Sequence, residues 1–252
     1  MVQATATSLP SFIVQGYDRK SAWALAALVT TYSSIGYSYS NLIHPERGMD
    51  WLLGFIWVML TALVVWRVDW RRDLRFLVIG LLGGATIEWW GTNTSLWVYF
   101  TRERPPLWIL PAWPIAALAI DRLATLVDHG VPRLRDLHRA YWVVVPAFVV
   151  WMTWFALPSI DNPATWVVIG LMVGVTALKS RPRWDIVLFV SGAAMGVFLE
   201  YWGTSRHCWT YYTGQVPPPV AVFAHGFASI AFARANQYLE AALARASRAT
   251  AA

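Results

Sequence analysis

Glu88 and Glu200 stand near the ends of apolar runs, in the matching strings Glu88-Trp89-Trp90-Gly91-Thr92 and Glu200-Tyr201-Trp202-Gly203-Thr204. Each is followed by a Trp-x-Tyr triplet, Trp97 to Tyr99 and Trp209 to Tyr211. A carboxyl group in an apolar run is costly when ionised, so it is expected to be protonated or paired. No lysine or arginine lies at matching depth in the apolar stretches, which points to a neutral acid. The two copies would bring two such acids close to one pseudo-two-fold axis. Ring faces nearby can stabilise a developing carbocation and line an apolar pocket. The candidate catalytic residues are Glu88, Glu200, Tyr99 and Tyr211. The candidate substrate-binding residues are Trp90, Trp202, Trp97, Trp209, Thr92, Thr204 and His225. The same glutamates could instead be structural clasps, bonding neighbouring backbones or the Tyr99 and Tyr211 hydroxyls.

His225 lies inside an apolar segment and its counterpart at the repeat offset is Trp113, so it breaks the repeat. It can be a proton donor or a hydrogen-bonder between packed helices. His44, His129, His138 and His207 fall in loops, and no His-rich boxes occur. No metal site or cofactor is expected, and no Walker, dinucleotide or nucleophile-elbow motif is present. The single cysteine, Cys208, excludes an internal disulfide.

Both carboxyls belong to an internal duplication. Residues 71–106 laid over 183–218 match at 14 of 36 positions without a gap, among them Gly80/Gly192, Gly84/Gly196, Glu88/Glu200 and Pro105-Pro106/Pro217-Pro218. Glycines and glutamate spaced four apart share one helix face, where small residues admit a neighbouring helix and the acid points inward. Asp73 and Asp185, beside arginines at the start of the same runs, fit helix N-termini.

Hydrophobic residues make up 57% of the chain and charged residues 13%, too apolar for an ordinary soluble domain. Seventeen tryptophans and ten tyrosines suit bilayer interfaces. The expected fold is all-α, a polytopic transmembrane bundle of eight spans near 21–43, 50–68, 74–92, 107–126, 140–158, 163–179, 185–203 and 217–235. Sixteen of the twenty lysines and arginines fall on the side that holds both termini, and Arg47, Arg102, Arg104 and Arg206 on the other. This asymmetry predicts cytoplasmic termini, in a bacterial inner membrane, and gives the net charge of +6 a topological role. The partner is then the bilayer and a lipid substrate rather than nucleic acid, with a homo-oligomer compatible.

An even number of spans per copy makes the two four-helix repeats parallel, related by an axis along the membrane normal. Residues 1–18 read as an N-terminal tail, 19–126 as the first repeat, 127–139 as a cytoplasmic linker, 140–235 as the second repeat and 236–252 as a C-terminal tail. The first two helices of each repeat have diverged beyond alignment.

The Glu-x-x-Gly-x-x-Thr of residues 88–94, with Trp97, Tyr99, Pro111 and Pro114, resembles the membrane carotenoid-biosynthesis proteins that include bacterioruberin-type carotenoid hydratases. The resemblance covers the third and fourth helices of the first repeat and, more loosely, their copies, where Arg206 replaces Thr94. It implies a polytopic lyase adding water to a terminal isoprenoid double bond, with Glu88 or Glu200 as acid and the other glutamate or a tyrosine-held water as base. Isomerisation or cyclisation would use the same parts. A proton-coupled carrier also suits duplicated halves with buried acids. Its helices would break near the midplane, whereas Pro105, Pro106, Pro111 and Pro114 lie toward the outer surface. A pigment-binding scaffold would need only tryptophan-rich helices. Glu88→Gln and Glu200→Gln are expected to fold and to differ in activity; equal, unimpaired turnover of the two variants would remove the catalytic reading.

Overall fold

The computed structural model describes residues 8–42, 49–130, 137–178 and 180–249, and these are mostly helical. Arg47, Arg133, Arg135, Lys179, His44 and the centre of the expected linker lie outside the described residues. A short helix, α1 (Leu9–Val14), is followed by α2 (Arg19–Ser38), α3 (Trp51–Val64), α4 (Trp70–Asn93) and α5 (Ala112–Gly130). Then come α6 (Leu137–Phe155), α7 (Pro163–Ala177), α8 (Pro182–Ser205) and α9 (Pro219–Ala249), with strands β1 (Trp97–Tyr99) and β2 (Trp209–Tyr211) between the last two helices of each repeat.

Every segment expected as a span is thus a helix, with shifted ends. The fourth, α5, begins only at Ala112, because Pro105, Pro106 and Pro111 hold the preceding residues in turns. The alanine-rich tail continues α9 to Ala249. The expected linker is helical at both edges, since α5 runs to Gly130 and α6 starts at Leu137. Part of the expected N-terminal tail is α1, whose Ile13 carbonyl accepts from the Trp66 indole at 2.9 Å. Among the described residues one helix, α8, is long and apolar enough to cross a membrane, and α3 and α7 are shorter apolar helices.

Local sequence explains how the helices begin. Asp18, Asp50, Asp69 and Asn162 accept backbone N–H groups as N-caps of α2, α3, α4 and α7. Hydrogen bonds from the Arg72 and Arg71 backbone N–H groups hold the Asp69 carboxyl below its usual range. Asp73 and Asp185 each take the N–H four residues back, at 3.0 Å, as expected for helix N-termini.

Those two aspartates do more than cap. Arg122 of α5 reaches Asp73 at 2.5 Å, and Arg234 of α9, its equivalent in the second repeat, reaches Asp185 at 2.7 Å. All four side chains are buried. Arg72 adds a bond to Asp121 at 2.6 Å in the first half, and the Tyr141 hydroxyl meets Arg234 at 2.6 Å in the second. A pair of this kind ties α4 to α5 and α8 to α9 at the end remote from the glutamates.

Glycines set the helix spacing above these pairs. A Cβ on Gly80 would lie 2.8 Å from the Pro114 Cα, and one on Gly192 2.7 Å from the Gly226 Cα. Close approach of α4 to α5 and of α8 to α9 therefore requires glycine at both positions. The strands pair antiparallel, Trp97 with Tyr211, Val98 with Thr210 and Tyr99 with Trp209. Val98 and Thr210 are equivalents in the duplication, so the pseudo-two-fold axis passes between them.

Arg234→Met should cost about 3–5 kcal/mol by leaving Asp185 buried without its cation. Denaturant melts of Arg234→Met and of Arg234→Met/Asp185→Leu test this, with the double variant expected to recover much of the loss.

Candidate active site

Each glutamate sits little more than one turn before its helix ends, and the chain then doubles back over it. The reversal uses a left-handed residue at the same place in each repeat, Ser95 (φ 58°) and His207 (φ 55°). Leu96 and Cys208 close the turns by donating to the Gly91 and Gly203 carbonyls at 2.9 and 2.8 Å. Bonds from Phe100 to the Cys208 carbonyl and from Tyr212 to the Leu96 carbonyl, 3.0 and 3.1 Å, extend the ribbon.

The ribbon delivers two donors to each carboxyl group. Trp97 Nε1 donates to Glu88 Oε2 at 3.0 Å and the Tyr99 hydroxyl to Oε1 at 2.9 Å. Trp209 Nε1 and the Tyr211 hydroxyl both donate to Glu200 Oε2, at 3.0 and 2.9 Å. A third partner comes from the following helix: Trp113 Nε1 to Glu88 Oε1 and His225 Nε2 with Glu200 Oε1, each at 3.0 Å. The His225 contact is therefore equivalent in place to the indole it replaces. The two rings stack on each other at 5.8 Å between centroids and 14° between planes, bridging the halves.

Glycine makes room for the four nitrogen-bearing rings, Trp97, Trp209, Trp113 and His225. A Cβ on Gly91 or Gly203 would fall inside the Trp97 or Trp209 indole. Gly84 seats the Trp113 ring, and Gly196 lies under Val222 and His225. The motif spacing follows: glycines one turn before and just under one turn after the glutamate leave two recesses on its face. Rings placed there can reach the carboxyl oxygens with their N–H edges.

Glu88 and Glu200 open on one cavity of about 200 Å³. Its wall includes Trp90, Trp97, Tyr99, Trp113, Trp209, Tyr211 and His225 at the centre, with Tyr32, Trp57 and Leu60 from α2 and α3 at one side. Six of the eleven sequence-selected residues, Glu88, Glu200, Trp97, Tyr99, Trp209 and Tyr211, form the hydrogen-bonded centre, and His225 completes it. Trp90 lines the cavity and donates its indole N–H to Thr165 at 3.0 Å. Thr92 and Thr204 turn back to the Glu88 and Glu200 carbonyls at 2.6 Å, so they support the helix rather than the cavity. Trp202 stands outside the lining, against the Trp209 ring at 6.4 Å.

One physical expectation changes. The indoles of Trp97 and Trp209 face the acids with N–H edges, not with ring faces. The carboxyls, expected to lack cation partners, have no lysine or arginine against them among the described residues and take hydrogen bonds from indoles and tyrosines. An indole N–H can only donate, so every oxygen it holds is an acceptor. The tyrosine bonds of the clasp reading are present, and the shared cavity is what a clasp would not require. Trp113 is the participant that sequence reasoning passed over, although the offset to His225 marked it. Burial pushes the Cys208 thiol up to about 11, so it stays protonated near neutrality. Among the described residues no group of three His, Cys, Asp or Glu side chains is arranged to hold a metal ion.

No protein-family model, curated protein or solved structure matches this chain.

Gly91→Ala and Gly203→Ala should each displace an indole from its glutamate. An overpacking cost of about 1–3 kcal/mol is expected, with a shift in tryptophan fluorescence. Unchanged emission and melting would show that the glycines do not seat the rings.

Proposed function

We propose that the protein is a polytopic membrane enzyme acting on a long isoprenoid or carotenoid-type lipid by acid–base chemistry at the cavity between Glu88 and Glu200. The observation that carries this reading is that two carboxyl groups, one from each repeat, open on one cavity walled mainly by aromatic and aliphatic side chains. Such a wall suits a hydrocarbon, and a hydrocarbon has no use for two carboxyl groups unless a proton moves or a positive charge develops.

Membrane embedding is supported by the outer surface. Val58, Val143, Val150, Trp154, Trp166 and Val167 of α3, α6 and α7 are each at least 59% exposed, a density of bare apolar side chains that water disfavours. The lysine and arginine asymmetry orients the eight helices with the Asp73 and Asp185 ends at the cytoplasm, consistent with a bacterial inner membrane. The cavity then lies toward the outer face.

Hydration is the reaction that the resemblance of residues 88–114 suggests. A proton adds to one carbon of the double bond, the cation at the other is held by carboxylate and rings, and water closes it while returning a proton to the site. Loss of a different proton would give an isomer. A carrier is less well supported, because buried Arg122–Asp73 and Arg234–Asp185 pairs close the opposite end about 22 Å away along α4 and α8. A scaffold leaves the two buried acids unexplained.

Lipid extracts of a bacterial host making carotenoid precursors, with and without the protein, test the proposal by mass spectrometry. A product heavier by one water is expected, and its loss in Glu200→Gln. An isomer of unchanged mass would retain acid–base chemistry and replace hydration. Unaltered lipids in a host supplying acyclic carotenoids would overturn the isoprenoid assignment.

A further inference from the structure

The two halves of the site are near copies in geometry and differ at one hydrogen-bonding ring. Around Glu88 the partners are two indoles and a tyrosine. Around Glu200 they are one indole, a tyrosine and an imidazole. Indole N–H groups donate and cannot accept, whereas an imidazole nitrogen does either, according to where its proton sits. Three donors occupy three of the roughly four acceptor sites of Glu88, and a proton on the fourth meets no waiting acceptor. The only neighbour of Glu88 able to accept is the Tyr99 oxygen, which must first turn its own hydrogen elsewhere. A proton placed on Glu200 Oε1 has an acceptor waiting 3.0 Å away in His225 Nε2.

We propose that the halves divide the work: the Glu200–His225 pair exchanges the proton, and Glu88 is a fixed acceptor that holds the positive charge developing on the substrate. The assignment rests on the acid–base reading of the cavity and names which group does which step. The proton shared by Oε1 and Nε2 passes to an alkene carbon as the π pair becomes the C–H bond. The cation left on the neighbouring carbon faces Glu88. The oxygen lone pair of water then forms the C–O bond, and the proton it sheds returns to the Glu200–His225 pair. One water is added and nothing is oxidised or reduced.

Besides this pair, the titratable side chains on the cavity wall are Tyr32 of α2, Glu88 of α4, Tyr99 of β1 and Tyr211 of β2. The tyrosines ionise near or above pH 10. Along α8 and α9 the buried charged residues besides Glu200, Asp185 and Arg234, are bonded to each other at the far end, and Arg183, Glu240, Arg245 and Arg248 lie at or beyond that end. The Arg206–Asp50 pair lies at the rim, joining the end of α8 to the start of α3. Trp113, stacked on His225, contributes a ring and no proton of its own to the exchange.

Infrared difference spectra of the purified full-length protein in lipid nanodiscs, titrated over about pH 5 to 9, read the pair without any substrate. Imidazole and carboxyl bands that change together are expected in the wild type. They should be lost in Glu200→Gln and in His225→Gln, whose amide can still donate to Oε1, and retained in Glu88→Gln. Trp113→His should add a second coupled titration. In the lipid assay His225→Gln should lower product formation by about 100-fold or more. Bands that survive Glu200→Gln and vanish in Glu88→Gln would reverse the assignment, and a wild type with no coupled bands would overturn it. Coupled bands with unaltered lipids would keep the proton pair and sink the isoprenoid reading instead.

Discussion

Two carboxyl groups must be kept in an apolar interior, and the architecture around them is organised by that requirement. Burying a polar group without partners costs several kcal/mol, and a charged one far more. Here each glutamate is met by three hydrogen-bonding partners. Two of the three come from a ribbon that exists because the chain reverses at Ser95 and His207. The third comes from a helix that can approach closely because Gly80, Gly84, Gly192 and Gly196 have no side chain. Helix ends, ribbon and glycine face are thus one solution to one problem, executed twice.

The opposite end of the same helices solves the burial of carboxylates differently. Asp73 and Asp185 receive full cations, Arg122 and Arg234, and their charge is cancelled where it stands. Glu88 and Glu200 receive dipoles, which satisfy the oxygens without cancelling a charge. An ionised carboxyl among dipolar partners would keep its negative potential, whereas the ion pairs cancel theirs. The contrast separates an end that closes the bundle from an end that can act on something placed inside it.

Much of this was legible in the sequence, for physical reasons that also mark the limits. A duplication conserves what both copies need, so Glu88, Gly91, Trp97 and Tyr99 announced themselves by returning at 200, 203, 209 and 211. The helix positions followed from long apolar runs. Other features were hidden because they depend on direction rather than on type. Nothing in the order of residues shows that an indole will offer its edge and not its face. Thr92 and Thr204 recur as faithfully as the glutamates, yet their hydroxyls bond backbone. Trp113 and His225 looked like a broken repeat because residue names were compared, whereas the shared property is an N–H at one point in space.

That substitution explains how a duplicated site becomes unequal without losing its frame. Indole and imidazole are both flat rings with a ring nitrogen at the edge, so each can sit beside its glycine recess, reach Oε1 at 3.0 Å and stack on the other across the halves. Packing therefore tolerates the exchange, while the ability to accept a proton changes completely. The periphery has diverged in parallel: α6 packs on α8 and α9, whereas α2 leans chiefly on α3 and keeps most of its surface bare. Arg206, present in one copy only, then fastens the α8 loop to Asp50 at the start of α3. Two equal halves would give a symmetric cavity with two equivalent acids. The single ring exchange instead gives Glu200 a neighbour able to accept a proton and leaves Glu88 beside an indole that can only donate.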